Sequence, residues 1–106
     1  MNGRDHPLPR GAIAVIFTSR LKNPAPGYAE EARRMVALAA ECPGFLGMES
    51  WRDETGRGVT ISWWESREAI AHWKQHPEHR AAQARAADWY EEWQIAICEL
   101  KAQKAG

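Results

Sequence analysis

The stretch FLGMESWRDETGRGVTISWW, residues 45–64, predicts two neighbouring strands joined by a tight turn, and the rest of the fold is built around this hairpin. Residues that favour strands fill its second half, and Thr55-Gly56 lies where the chain has to bend. Side chains alternate across a strand, so the adjacent Trp63 and Trp64 are predicted to point to opposite faces of one sheet. The other side chains of this strand divide in the same way: Val59 and Ile61 lie with Trp63, and Thr60 and Ser62 lie with Trp64.

Strand and helix patterns on both sides of the hairpin complete the order β-α-β-β-α-β, with the second helix in two pieces. The predicted elements are strands at 12–19, 45–53, 58–65 and 89–100, a helix at 28–41, a short helix after Ser66, and a helix at 77–88 that begins with Pro77. This order is typical of a ferredoxin-like α+β fold, in which one antiparallel sheet carries its helices on one face.

The other sheet face has no helix to cover it in this arrangement. Val59, Ile61 and Trp63 would lie there, and an exposed apolar patch of that kind usually marks an interface. We therefore predict a homodimer in which the sheets of two subunits pack face to face.

The composition restricts the class of protein. The 106 residues suit a single domain, and the 14 basic and 14 acidic side chains argue against a nucleic-acid or membrane surface. Residues 1–11 contain no apolar core of a secretory signal and predict a disordered leader, residues 12–100 predict the domain, and residues 101–106 predict a polar tail. With only Cys42 and Cys98, no disulfide framework is expected, so the cytoplasm is the predicted compartment.

The chain resembles the antibiotic biosynthesis monooxygenase (ABM) domains of the dimeric α/β-barrel superfamily. The resemblance covers about residues 12–100. It rests on AVIFTSR, ECPGFLGMES, GVTISWWES and EAIAHWKQHPEHRAAQ, which include PGFLG after a helix and the pattern W-x-S-x-x-A-x-x-x-W from Trp64 to Trp73. It implies homodimers in which each subunit keeps its own pocket between the sheet and the helices.

Two enzymatic branches of the superfamily are implied by this resemblance. The first oxidises anthrone-like aromatic compounds with molecular oxygen and without a cofactor, and it leads us to predict a monooxygenase of a small aromatic or quinone-type compound. The second degrades heme, but Gln83 stands where that branch carries its axial histidine, and glutamine is a poor iron ligand. A third alternative is a dimeric barrel that binds a small molecule without catalysis.

The candidate substrate-binding residues are Ser19, Thr60, Ser62, Trp64 and Gln83, and the candidate catalytic residue is His79. Beside small hydroxyl groups, the Trp64 indole suits either a stacking surface for a planar ligand or a packed core position. His79 and Gln83 are four residues apart on one helix face, where His79 is either a hydrogen-bonding partner or base for a phenolic substrate, or a surface residue.

A metal site is not predicted. His72, His76 and His79 are spaced by four and then three residues, but Pro77 interrupts the helix between the second and the third. No carboxylate or cysteine nearby completes a recognisable set of ligands.

Overall fold

The computed structural model describes residues 7–106 and confirms the ferredoxin-like α+β fold. Its elements are β1 (Ile13–Leu21), α1 (Tyr28–Ala40), β2 (Phe45–Arg52), β3 (Arg57–Trp64), α2 (Arg67–Lys74), α3 (Pro77–Ala84), α4 (Ala86–Trp89) and β4 (Tyr90–Glu99). The four strands form one antiparallel sheet in the order β2-β3-β1-β4.

The helix predicted at 77–88 is not continuous, because Arg85 leaves helical geometry with φ −97° and ψ 3° and separates α3 from α4. The break turns the chain so that Trp89 is buried and its Nε1–H donates to the Pro26 backbone oxygen at 3.1 Å. The Arg85 guanidinium covers the Trp89 ring at 4.6 Å from its centroid. Alanine-rich sequence favours a helix, but burial of one large indole redirects its last turn.

The hairpin turn is closed by the carboxylate of Asp53. Its Oδ1 accepts hydrogen bonds from the Thr55 backbone N–H, the Thr55 hydroxyl and the Arg57 backbone N–H. The hydrogen bond from Thr55 is the main reason that the pKa of Asp53 lies below its usual value. Gly56 has φ 93°, which favours glycine, so the bend predicted at Thr55-Gly56 is confirmed.

The strand register confirms that Trp63 and Trp64 lie on opposite faces. Trp64 is opposite Ile13 in β1, whereas Trp63 is opposite Ala14. The Trp64 face lies under the helices, where the buried core cluster consists of Ile13, Ala39, Trp64, Ile70 and Trp73. Within residues 7–106 no helix packs on the other face, which we call the helix-free face and which contains Ile16, Trp51, Val59, Ile61 and Trp63.

The helices are fixed at their ends. The Ser66 side chain accepts from the Ala69 backbone N–H at 3.1 Å, which confirms its predicted role as the N-cap of α2. Pro77 begins α3, and Arg34 of α1 forms an ion pair with Glu78 of α3. No helix in residues 7–106 is long and apolar enough to cross a membrane.

The two ends of the described chain meet. Leu8 is buried, its backbone N–H donates to Gln103 Oε1 at 3.3 Å, and Gln103 Nε2 donates to the Leu8 backbone oxygen at 2.6 Å. The first six residues of the predicted leader lie outside the described residues. The boundaries of leader, domain and tail stay predictions.

Candidate functional site

A row of aromatic rings runs from the sheet to α3. Phe45 meets Trp64 edge-on with ring centroids 5.3 Å apart, and Trp64 stacks with Trp73 at 6.3 Å. Trp73 in turn stacks on His79 at 4.5 Å with an interplanar angle of 16°. We call these four residues the ring row, and it connects the candidate base His79 to Trp64 through Trp73.

His79 ends the ring row with an unsatisfied polar atom. Its Nδ1 is buried and has no hydrogen-bond partner among the described residues. Burial lowers the pKa of the His79 imidazole below its usual value, the Trp73 backbone opposes this shift, and His76 and Lys74 add to it. A neutral imidazole is therefore favoured, and its free nitrogen is able to accept a proton.

Trp64 is the most enclosed member of the ring row, with 1% of its surface exposed. Its Nε1–H donates to Ser62 Oγ at 3.0 Å, so two of the predicted site residues are in direct contact. Thr60, on the same face of β3, shares a hydrogen bond of 2.8 Å with Ser50 of β2. In the free chain Trp64 is thus part of the packed core, and its substrate-binding role stays a prediction.

Ser19 lies at the far end of the same sheet face, in a cluster that the sequence did not predict. Arg52 Nη2 donates to Ser19 Oγ and to Tyr28 Oη, both at 3.1 Å. The Tyr28 ring also meets the Tyr90 ring edge-on, with centroids 5.6 Å apart. Burial, reinforced by the contact with Tyr28, raises the pKa of Tyr90 well above its usual value, so Tyr90 keeps its proton near neutral pH. We call Ser19, Tyr28, Arg52 and Tyr90 the hydroxyl cluster.

An exposed apolar surface begins beside this cluster. Trp93, Ile95 and Ile97 alternate along β4, and their register with β1 places them on the helix-bearing side of the sheet. Their surfaces are 53%, 45% and 40% exposed, and α3 contributes no buried residue. We call these three residues the β4 strip. Phe17 joins it to the hydroxyl cluster, because its ring stacks with Trp93 at 6.2 Å and meets Tyr90 edge-on at 5.2 Å.

The remaining candidates of the sequence analysis lie on α2, on α3 and between them, and the His76 ring centroid is 5.6 Å from that of Trp73 in the ring row. Gln83 is exposed on α3, one helical turn after His79. His72 is exposed, and His76 Nδ1 accepts from the Glu78 backbone N–H at 3.2 Å as the N-cap of α3. Within residues 7–106, no group of three or more histidine, cysteine or acidic side chains is arranged to hold a metal ion.

The sequence analysis missed Arg52, Tyr28 and Tyr90 as members of one cluster. Their contacts depend on strand register and on the position at which α1 meets the sheet, and no local pattern reports either. One signal was present: Gly58 is the partner of both Arg52 and Ser19 in the register, and a glycine within a strand often marks a close approach.

Comparisons with known proteins agree with this architecture. The sequence model of the family described as "Antibiotic biosynthesis monooxygenase" matches residues 13–85. The chain is 47% identical over 92 residues to the uncharacterized protein YqjZ of Bacillus subtilis (strain 168), which covers 86% of this chain and 81% of that protein.

Two solved structures show the same fold at low sequence identity. SnoaB, a cofactor-independent oxygenase from Streptomyces nogalater, matches with a TM-score of 0.75 at 13% identity, over 90% of this chain and 96% of that one. PA3566 from Pseudomonas aeruginosa matches with a TM-score of 0.71 at 18% identity, over 87% and 96% of the two chains.

Proposed function

The chain belongs to the antibiotic biosynthesis monooxygenase family, and from this premise we propose that it is a cofactor-independent monooxygenase of a small aromatic or quinone-type compound. One observation carries the proposal: the ring row ends in a buried His79 Nδ1 that has no hydrogen-bond partner within residues 7–106. The resemblance of the fold to SnoaB, itself a cofactor-independent oxygenase, supports it.

His79 would act as the base. A buried acceptor without a partner costs free energy, and a substrate hydroxyl that donates to it removes this cost. The lowered pKa of His79 keeps the nitrogen unprotonated near neutral pH, which is the form that accepts a proton. Trp73 holds the imidazole by stacking on it, so the base is fixed before the substrate arrives.

The chemistry requires few protein groups. Removal of a proton from an anthrone-type substrate gives an electron-rich anion that reduces molecular oxygen itself. One oxygen atom then becomes the new carbonyl of the product, and the other leaves as water with the two hydrogens of the oxidised methylene. The protein has to bind the ring, hold the proton and exclude bulk water.

The β4 strip supports the binding part of the proposal. Trp93, Ile95 and Ile97 offer a flat apolar surface, and aromatic ligands gain from stacking on indole as well as from burial. Because Phe17 is packed against Trp93, a ring on this strip would continue an aromatic surface that already exists. The predicted roles of Ser62, Thr60 and Gln83 in substrate binding are part of this proposal.

We also propose that the helix-free face pairs with a second copy of the chain. Trp51 is 50% exposed there, and Ile16, Val59, Ile61 and Trp63 are only half-buried. The apolar character of this face supports the homodimer that the sequence predicts.

Oxygen uptake tests the proposed activity. Purified protein, treated with a metal chelator, is supplied with a panel of anthrones and hydroquinones in an oxygen electrode. We expect uptake with at least one compound, and a rate about 100-fold lower in His79→Phe, which keeps a ring against Trp73 but removes the base. His72→Phe, an exposed position on α2, serves as the control and keeps the wild-type rate. Tight binding across the panel without uptake in the wild type contradicts the enzyme and favours a binding protein.

Heme fits these residues poorly. Gln83 lies where the resemblance places an axial ligand, and an exposed glutamine is a weak partner for heme iron. A hemin titration separates the two branches: we expect no saturable Soret shift. A shift at one heme per subunit that disappears in Gln83→Ala or His79→Ala would favour the heme branch instead.

A further inference from the structure

Arg52 is a half-buried cation without an acidic partner among the described residues. Its Nη1 donates to the Gly56 backbone oxygen at 2.7 Å, and its Nη2 donates to Ser19 and Tyr28. The carboxylate of the adjacent Asp53 is taken up by Thr55 and by the Arg57 backbone. A cation in such surroundings is stabilised when an anion joins it.

Gly58 allows this guanidinium to reach its position. Arg52 of β2, Gly58 of β3 and Ser19 of β1 lie side by side in the register, so the Arg52 side chain crosses the middle strand. A Cβ at Gly58 would stand 2.8 Å from Arg52 Cζ and 2.8 Å from the Trp51 backbone oxygen. The missing side chain therefore opens the path from β2 to Ser19.

The hydroxyl cluster contains more donors than acceptors. Ser19, Tyr28 and Tyr90 each bring one hydroxyl proton, and arginine only donates. Because Ser19 Oγ and Tyr28 Oη both accept from Arg52, their hydroxyl protons are directed away from the guanidinium. A surplus of donors around a positive charge suits an anionic oxygen, which accepts several short hydrogen bonds.

The hydroxyl cluster is next to the β4 strip. Tyr90 and Trp93 both pack against Phe17, and Trp93 is opposite Ser19 in the strand register. Arg52 and Tyr28 also line a hollow of about 360 Å³ between the loop after β1 and the hairpin turn. A ring on Trp93 therefore lies beside the strand position of Ser19.

We propose that the hydroxyl cluster binds an anionic oxygen, a carboxylate or a phenolate, carried by the aromatic compound whose ring lies on the β4 strip. The inference rests on the proposed function for the position of the ring. It adds the class of ligand: an acidic aromatic compound is preferred over a neutral one of the same shape.

Binding of two fluorescent probes tests this inference without any turnover. Anthracene-9-carboxylate and 9-anthracenemethanol share one ring system, but only the first is anionic. We expect wild-type protein to bind the carboxylate at least about tenfold more tightly, and Arg52→Gln to bind both probes within about twofold of each other. Arg33→Gln, an exposed position on α1 that loses the same charge, keeps the wild-type preference.

A second variant separates loss of the site from loss of the fold. Tyr90→Phe keeps the ring against Phe17 and removes one donor, and we expect it to weaken carboxylate binding about threefold or more while binding of the neutral probe stays unchanged. Circular dichroism of each variant shows whether the sheet is intact. Gly58→Ala, which pushes on the guanidinium, is expected to reduce the preference as well.

The outcomes are distinguishable. Equal binding of both probes by wild-type protein, or an unchanged preference in a folded Arg52→Gln variant, overturns the anion site and leaves the aromatic surface in place. Failure of wild-type protein to bind either probe overturns both. Absence of oxygen uptake leaves this test unaffected, because neither probe has to be oxidised.

Discussion

The surroundings of His79 make its imidazole harder to protonate. Burial is the main cause of its lowered pKa, and the neighbouring Lys74 and His76 act in the same direction, whereas the Trp73 backbone opposes them. The unfolded chain has no such environment, so its imidazole takes up a proton more readily than the native one. Protonation of His79 therefore favours the unfolded state.

This linkage predicts how stability depends on pH. The pKa of His79 is lower in the native state than its usual value of 6.5. The free energy of unfolding is therefore highest above pH 6.5, and it decreases as the pH falls through the native pKa. We expect the melting temperature to drop between about pH 7.5 and about pH 5.5, and the drop to be smaller in His79→Phe, where the phenyl ring still stacks on Trp73. Thermal melts followed by circular dichroism measure the melting temperatures of the wild type and of His79→Phe at each pH.

A matched substitution controls this measurement. His72→Phe changes an exposed histidine on α2 and should leave the dependence of the melting temperature on pH as it is in the wild type. An equal loss of stability on acidification in His79→Phe and in the wild type would contradict the assignment of this pH dependence to His79.

At the level of elements, α3 and β4 contribute little to the buried core. α3 is rich in alanine and buries no residue, and every residue of β4 after Tyr90 is exposed. The core instead lies beneath α1 and α2, where Trp64 and Trp73 stack. Two tryptophans on the same side of one sheet, Trp64 and Trp93, thus differ greatly in what they contribute to folding.

Substitution of these two tryptophans separates core from ligand surface. Trp64→Ala is expected to lower the free energy of unfolding by about 3–5 kcal/mol, because it leaves a cavity between Phe45 and Trp73. Trp93→Ala should cost less than about 1 kcal/mol, because half of that side chain is already exposed, and it should weaken binding of a neutral polycyclic probe.

Urea denaturation measures the free energy of unfolding of each variant, and fluorescence titration measures its affinity for the neutral probe. The proposed division of roles is wrong if Trp64→Ala keeps its stability and loses ligand affinity, since Trp64 would then be a wall of the binding site and not part of the core.

At the level of the whole molecule, one sheet has two unlike faces. One face is covered by the helices and builds the core, and the helix-free face carries Ile16, Val59, Ile61 and Trp63 half-buried. The chain thus exposes apolar surface on the helix-free face and on the β4 strip. We assign the former to a second subunit and the latter to the ligand.

A single charge on the helix-free face tests the dimer. We expect the wild type to sediment at twice the 12.0 kDa mass of the chain, and Ile61→Glu to sediment as a monomer, because a carboxylate in a sheet-to-sheet interface would lose its hydration. Ala37→Glu, at an exposed position of α1, adds the same charge away from this face and should remain dimeric. A wild-type monomer at micromolar concentration would contradict the assignment.

The amino-acid sequence determined the order of the elements and the face on which each β3 side chain lies. Alternation along residues 58–65 is a local property, so Trp63 and Trp64 were assigned to opposite faces before any tertiary contact was known. The same holds for the bend at Thr55-Gly56, for the N-cap Ser66 and for Pro77 at the start of α3, because turn and helix-start preferences act over a few residues. The predicted cytoplasmic location and the predicted site residues stay predictions.

The contacts between distant side chains follow from the tertiary structure alone. Arg52, Ser19, Tyr28 and Tyr90 come from four separate parts of the chain, and their contact depends on strand register and helix placement. It also decided that α3 and α4 separate at Arg85, because burial of one indole outweighs the helix propensity of the alanines around it. Local preference acts along the chain, whereas burial and hydrogen bonding act between segments that the folded chain brings together.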